Sequence, residues 1–333
     1  MNPETWQIIG HEWAVKSLLQ HASSGNQKQA YLFTGPESVG RRTLAIRFSQ
    51  ALNCLSPLKD GIPCMSCTHC GQFERMVHPD LTIVRSELTG EALKVEQVRD
   101  FQYSLHLAPN TAAFRIALLV NFEKATDNAQ NALLKTLEEP PDKVIILITA
   151  ESAERLLPTI VSRCEVIRLR PVPLEEMNVG IQNLWQVPSE ESNLLAHLAS
   201  GRPGYCYDLY QNPDLMVLRH QWLDDLKKLL SSNRINRFTY ADKLSKQHSQ
   251  MYPLLNTWLG FWRDVLLVSR NGGSQITNID YVEFINYLAE NLENNVTLQV
   301  VQNLDGIFEH LDHNVNPRLA LEDLMLCLPF IPN

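Results

Sequence analysis

The chain has 333 residues, 44% of them hydrophobic and 20% charged, a globular balance that excludes long disordered stretches and leaves room for roughly two or three domains. Twenty-nine basic against thirty-seven acidic residues give a net charge of -8, which argues against wrapping nucleic acid by overall charge. The longest apolar runs, residues 116–120 and 144–148, fall far short of the roughly 20 residues of a membrane helix. Residues 1–6 carry no basic-then-apolar leader pattern, so a cytoplasmic protein without membrane contact is expected.

Residues 30–34 (Ala-Tyr-Leu-Phe-Thr) read as a buried strand, 35–40 as a glycine-flanked loop and 41–52 as a helix. Residues 81–84, 115–120, 144–149 and 166–169 supply further strands, with helix-like stretches between them. That alternation is the pattern of strand-helix-strand units on a parallel sheet, an α/β fold. Beyond Pro171-Val172-Pro173 apolar residues recur every three or four positions, predicting helices over 175–185, 189–199, 213–230 and on to Pro329. Leu319, Leu321, Leu324, Leu326 and Leu328, with residues 296–311, offer apolar faces for packing within a domain or between subunits. A break at Gly201-Arg202-Pro203-Gly204 divides the helical part. The expected domains are an α/β domain over 1–171, a helical lid over 172–208 and a helical C-terminal domain over 209–333.

Seven cysteines, an odd number, favour metal or catalytic roles over a disulfide framework in a reducing compartment. Cys54, Cys64, Cys67 and Cys70 are separated by nine, two and two residues, in a segment with Pro57, Gly61 and Pro63. Two Cys-x-x-Cys turns aim thiolates at one ion, and a fourth sulfur closes a tetrahedron, so a structural Zn²⁺ is expected, stapling a module over residues 54–78. An iron-sulfur cluster is the lesser alternative, because the terminal Cys-Pro of the bacterial ferredoxin run is missing. His69 lies between two ligands, but four thiolates suffice.

Gly35-Pro36-Glu37-Ser38-Val39-Gly40-Arg41-Arg42 keeps both outer glycines of the Gly-x4-Gly-Lys-Ser/Thr phosphate loop, between strand and helix. Arg41 and Arg42 replace the lysine and the magnesium-binding hydroxyl; a cation cannot coordinate Mg²⁺, and Thr43 comes one residue late. The strand over 115–119 runs into Val120-Asn121 where a hydrolytic site needs Asp-Glu. Losing all four groups removes the electrostatic stabilisation on which phosphoryl transfer depends. Gly35, Gly40, Arg41 and Thr43 are therefore read as a vestigial phosphate loop. Backbone amides at the helix N-terminus persist, so binding without hydrolysis stays open.

The run from Asn131 to Pro141 (Asn-Ala-Leu-Leu-Lys-Thr-Leu-Glu-Glu-Pro-Pro), the strand over 144–149 and then Ser162-Arg163-Cys164 resemble the AAA+ clamp-loader proteins of bacterial DNA polymerase III. Ile8-Ile9-Gly10-His11, Ala30-Tyr31-Leu32-Phe33, the four-cysteine insert and Asn316-Pro317-Arg318-Leu319-Ala320-Leu321-Glu322 are similar too, so the likeness spans essentially the whole chain. The resemblance implies a P-loop-type parallel sheet with a zinc insert, a helical lid and an oligomerising helical collar. Within the family γ/τ subunits carry intact Walker motifs, and this sequence looks like the class with degenerate ones that keeps Ser-Arg-Cys. Such a subunit is expected not to hydrolyse ATP. Arg163 matches the arginine finger that reaches the ATP bound by a neighbouring γ/τ subunit. The implied partners are γ/τ and δ subunits, with the sliding clamp and primed DNA met through the complex. Thr149 matches the sensor 1 position, and Gly204 falls where γ/τ proteins carry a sensor 2 arginine. From the residues alone, Arg163 reads equally well as a cation at the C-terminal end of a helix from Thr159. The rival readings are an autonomous AAA+ ATPase using Arg41 for lysine, and a zinc-dependent DNA-binding module on a vestigial nucleotide fold.

Overall fold

Short strands whose two faces both meet helices shape the first half of the chain. The computed structural model describes residues 6–59, 61–85, 92–106, 108–270, 272, 276–312 and 315–331; the leader reading of residues 1–5 lies outside them. One compact unit comprises Met1–Ser189 with Gly201–Tyr205. In chain order it holds α1 (Glu12–Ser24), β1 (Ala30–Thr34), α2 (Arg41–Asn53), α3 (Thr68–Glu74), β2 (Leu81–Val84), α4 (Val95–Leu105) and β3 (Arg115–Leu119). These are followed by α5 (Asp127–Glu138), β4 (Val144–Ala150), α6 (Pro158–Val161), β5 (Glu165–Arg168) and α7 (Leu174–Trp185). Each strand lies within one residue of its expected bounds, the usual slack at element ends.

All five strands pair in parallel in the order β2-β3-β4-β1-β5. Strands β1, β3 and β4 are buried at every position. A parallel sheet covered on both faces needs apolar residues on both, which is why these segments read as unbroken apolar runs. Alternate residues serve opposite layers. Leu32, Ala117, Leu119, Ile146 and Ile148 pack with Val98, Phe101 and Leu133 of α4 and α5. Tyr31, Phe33, Ile116, Leu118 and Leu147 pack with Leu18, Leu44 and Phe48 of α1 and α2. Each fully buried side chain of this size contributes about 1.5–3 kcal/mol. The strand order sets the carboxyl ends of β3, β4 and β1 side by side. The loop after β1, Thr149 on β4 and Asn121 after β3 therefore share one edge, where open α/β sheets bind ligands.

The second unit comprises Glu190–Ser200 and Cys206–Asn333 and is helical throughout its regular structure. It takes in α8 (Ser189–Ala199), most of α9 (Pro203–Gln211), α10 (Pro213–Leu230), α11 (Arg234–Ser245), α12 (His248–Ser269), α13 (Val282–Asn291), α14 (Asn294–Asp312) and α15 (Pro317–Cys327). Trp258, Phe261 and Trp262 of α12 form its centre, enclosed by Leu226, Leu254, Ile285, Leu304, Leu321 and Leu324. The leucines near the C-terminus divide by helical period: Leu321, Leu324 and Leu328 enter this core, while Leu319 and Leu326 are 60% and 52% exposed. No helix among the described residues is long and apolar enough to cross a membrane.

Candidate functional site

The four sequence-predicted cysteines converge. The Sγ atoms of Cys54, Cys64, Cys67 and Cys70 all lie within 4.8 Å of one another, with Cys54 and Cys64 3.5 Å apart. A tetrahedral zinc-thiolate site needs sulfurs about 3.8 Å apart, given Zn–S bonds of about 2.3 Å. Backbone N–H groups already donate to these sulfurs: Cys64 to Cys54 at 3.3 Å, Cys67 to Cys64 at 3.3 Å and Cys70 to Cys67 at 3.4 Å. Sulfurs that accept such bonds suit thiolates. Backbone N–H donation from Ser66 is the main cause that pulls the Cys64 thiol down to about 6, whereas burial pushes Cys70 up, with Cys67 and Cys54 beside it adding to the rise. Four thiols sharing one spot cannot all ionise unless a cation offsets their repulsion, and a divalent ion does so. The donor set fits zinc.

Neighbouring contacts fasten this module to the sheet layer. Gln50 Nε2 donates to the Cys70 carbonyl at 2.8 Å, Trp6 Nε1 donates to the Gly61 carbonyl at 3.0 Å, and Arg47 pairs with Glu74. His69 turns its Nδ1 to the Asn53 carbonyl at 3.1 Å, and its ring packs nearly perpendicular to that of His78. It is engaged in packing and not required as a ligand. Leu55 and Leu58 are 59% and 66% exposed, so the segment carries little core of its own and depends on a cross-link.

At the sheet edge, Gly35 and Gly40 adopt φ of 147° and 109°, values that side-chain-bearing residues rarely reach. Arg41 opens α2 and is buried, with Nη2 donating to Asn121 Oδ1 at 3.3 Å. Burial pulls its guanidinium below the ordinary arginine value, against the opposing pull of Glu123, Glu151 and Glu37. Among the described residues, Nη1 of Arg41 and Oε2 of Glu123 are buried without a hydrogen-bond partner. The Thr149 hydroxyl accepts the Asn121 N–H at 2.9 Å and is 1% exposed. Gly35, Gly40 and Arg41 thus gather at one place with Asn121 and Thr149, while Thr43 is exposed on the first turn of α2. A fixed internal cation stands among carboxylates here.

Gly204 closes over the same loop. Its N–H donates to the Ser38 carbonyl at 2.8 Å, and an added Cβ would lie 2.8 Å from that oxygen and 3.3 Å from Ser38 Cα. An arginine at this position has no room beside the loop. Gly204→Ala is expected to cost about 1–3 kcal/mol through overpacking. A melting temperature unchanged from the parent chain would count against the close approach. Arg202, two residues earlier, stacks its guanidinium over the Tyr205 ring, 4.8 Å from the centroid.

Arg163 follows α6 and lies in a different setting. Its Nη1 donates to the Thr159 carbonyl at 2.8 Å, and its Nη2 pairs with Glu138 Oε1 at 2.5 Å. Both readings of this residue have a footing, since it tops a helix end and also stays one-third exposed. The contact with Glu138, at the end of α5, spans 25 residues and left no local signal in the sequence. Cys164, next to it, is a partly buried thiol pushed up to about 12 by desolvation, which makes it a poor nucleophile.

Comparison with known proteins accounts for the arrangement. The family model described as "DNA polymerase III, delta subunit" matches residues 10–173, and that described as "DNA polymerase III, delta subunit, C terminal" matches residues 213–328. The DNA polymerase III δ′ subunit of Pseudomonas aeruginosa is 29% identical over 254 residues, covering 76% of this chain and 75% of that one. The δ′ subunit of Bacillus subtilis is 25% identical over 321 residues, 94% of each chain. The τ subunit of Escherichia coli is 30% identical over 183 residues, 55% of this chain and 28% of that one. With matches in chain order from residue 10 to residue 328, and δ′ relatives aligned along most of their length, the chain belongs to the DNA polymerase III δ′ family of AAA+ clamp-loader subunits.

Proposed function

We propose that the chain serves a clamp loader as its non-hydrolysing subunit, presenting Arg163 to ATP bound by a neighbouring γ/τ subunit. On this reading residues 1–171 are the AAA+ domain, 172–208 the lid and 209–333 the collar that holds the chain among γ/τ and δ subunits. The sliding clamp and primed DNA are met through that complex, in the cytoplasm. Zinc, held by Cys54, Cys64, Cys67 and Cys70, staples the module over residues 54–78 and takes no part in hydrolysis.

The observation that carries this reading is the contrast between two arginines. Arg41 is buried in the chain's own vestigial site, among Glu37, Glu123 and Glu151, where a triphosphate would meet three carboxylates and neither the lysine nor the adjacent hydroxyl of a working phosphate loop. Val120 and Asn121 add no charge to hold a metal or polarise water. Arg163, by contrast, leaves its planar, permanently charged fork partly in solvent, suited to phosphate oxygens presented from outside. When a neighbour's ATP reaches it, the guanidinium stabilises charge developing on the γ-phosphoryl group.

Arg163→Ala, assembled with γ/τ and δ subunits, tests the proposal. Hydrolysis at the site it completes is expected to fall by roughly 10³ or more, with assembly intact because the side chain is exposed. Arg163→Lys should not rescue it, since an ammonium lacks the planar fork. Unchanged turnover would refute the finger role, and robust hydrolysis by the isolated chain would refute the non-hydrolysing one.

A further inference from the structure

We propose that Glu138 is the positioning residue for Arg163; the inference rests on the finger reading above and deepens it. A solvent-facing arginine samples many rotamers, and each unproductive one must be lost before its fork meets a phosphate. Here two contacts take up that freedom in advance. Glu138 Oε1 receives Nη2 at 2.5 Å and the Thr159 carbonyl receives Nη1 at 2.8 Å. Two of the five guanidinium N–H groups are thereby used, and three remain for phosphate oxygens. The carboxylate is held by one oxygen only and is half-exposed, so it orients the arginine without covering it.

The location of Glu138 adds a second argument. It is the last residue of α5, at the helix end where backbone carbonyls make a negative charge unfavourable. Glu139 follows directly, in the C-cap position. A sequence under pressure only for helix stability would place a cation at Glu138, and the conflict with the local rule marks a site serving something else. The something else in contact with it is Arg163. A half-exposed ion pair of this kind adds little to stability, so removing it separates positioning from folding.

The test uses the full chain reconstituted into the clamp loader with clamp and primed DNA, measuring kcat and KM for ATP. Glu138→Ala is expected to lower kcat roughly tenfold while KM moves less than about twofold and incorporation into the complex is unchanged. Glu138→Asp should recover most of the loss, and Glu138→Ala combined with Arg163→Ala should be no worse than Arg163→Ala alone. A silent Arg163→Ala overturns the finger reading and this inference with it. A damaging Arg163→Ala beside an unchanged or faster Glu138→Ala leaves the finger standing and overturns the positioning role. Additive losses in the double variant overturn it as well, because Glu138 would then act through another group.

Discussion

Cys64→Ser is expected to abolish stoichiometric zinc retention, with elemental analysis giving one zinc per parent chain and none after the variant is dialysed against a chelator. Structural zinc in small modules contributes apparent folding free energies of about 10–16 kcal/mol, and a closed four-thiolate site has no spare ligand to replace a lost one. Cys64 is a suitable position to change because it is only partly buried, unlike Cys70. The consequence is expected to be local. Gln50 to the Cys70 carbonyl and His69 to the Asn53 carbonyl tie the module to α2, so amide protection should fall over residues 54–78 while the strands keep theirs. Acidification should mimic the substitution, because the ligands bind as thiolates and protons compete with the metal for them. Iron in place of zinc, no metal at all, or a variant that holds zinc as firmly as the parent would overturn the assignment.

Arg237→Ala is expected to destabilise the C-terminal helical unit by about 3–5 kcal/mol. The guanidinium of Arg237, on α11 and only 6% exposed, donates to five carbonyl oxygens: Leu229 at 2.9 Å, Leu230 at 3.3 Å, Met325 at 3.1 Å, Leu328 at 2.6 Å and Pro329 at 2.8 Å. These lie at the C-terminal ends of α10 and α15, where carbonyls facing away from the helix and the negative ends of two helix dipoles suit a cation. Burial lowers the Arg237 pKa, and nearby Arg234 adds to that pull; among the described residues the charge is met by carbonyl oxygens. Truncation removes the Arg237 donor from the Met325, Leu328 and Pro329 carbonyls, whereas Leu229 keeps the Ser232 N–H and Leu230 the Ile331 N–H. Arg237→Lys should fall between parent and alanine, because one ammonium cannot span both helix ends. Calorimetric melting decides it, and a C-terminal unit melting at the parent temperature in the alanine variant would sink the argument.

Arg237 also shows where sequence reading stops. In one dimension it is a basic residue on a helix, indistinguishable from a solvated one, and its acceptors near the C-terminus lie 88 to 92 residues away. The same holds for Arg41, whose partner Asn121 is 80 residues distant. Arg41 was legible as a lost lysine, but not as a buried cation among Glu37, Glu123 and Glu151. Gly204 was legible as a missing arginine, while its steric cause, the Ser38 carbonyl beneath it, was not.

What the sequence determined by itself is whatever is written at short range. The strands β1, β3 and β4 announced themselves because burial on both faces makes them apolar throughout. The four cysteines could be read as one cluster because three of the ligands fall within seven residues and tight turns leave them few other arrangements. The Asn131–Pro141 run, the Ser-Arg-Cys motif and the four-cysteine insert that carry the family resemblance are equally local, and so is the broken phosphate loop. Only the tertiary structure decided which charged groups meet: Arg163 with Glu138, Arg41 with Asn121, Arg237 with the ends of two helices. Each of those pairings joins residues from different elements. Helical and strand periodicities record which face is buried and carry no information about what charge waits on the other side.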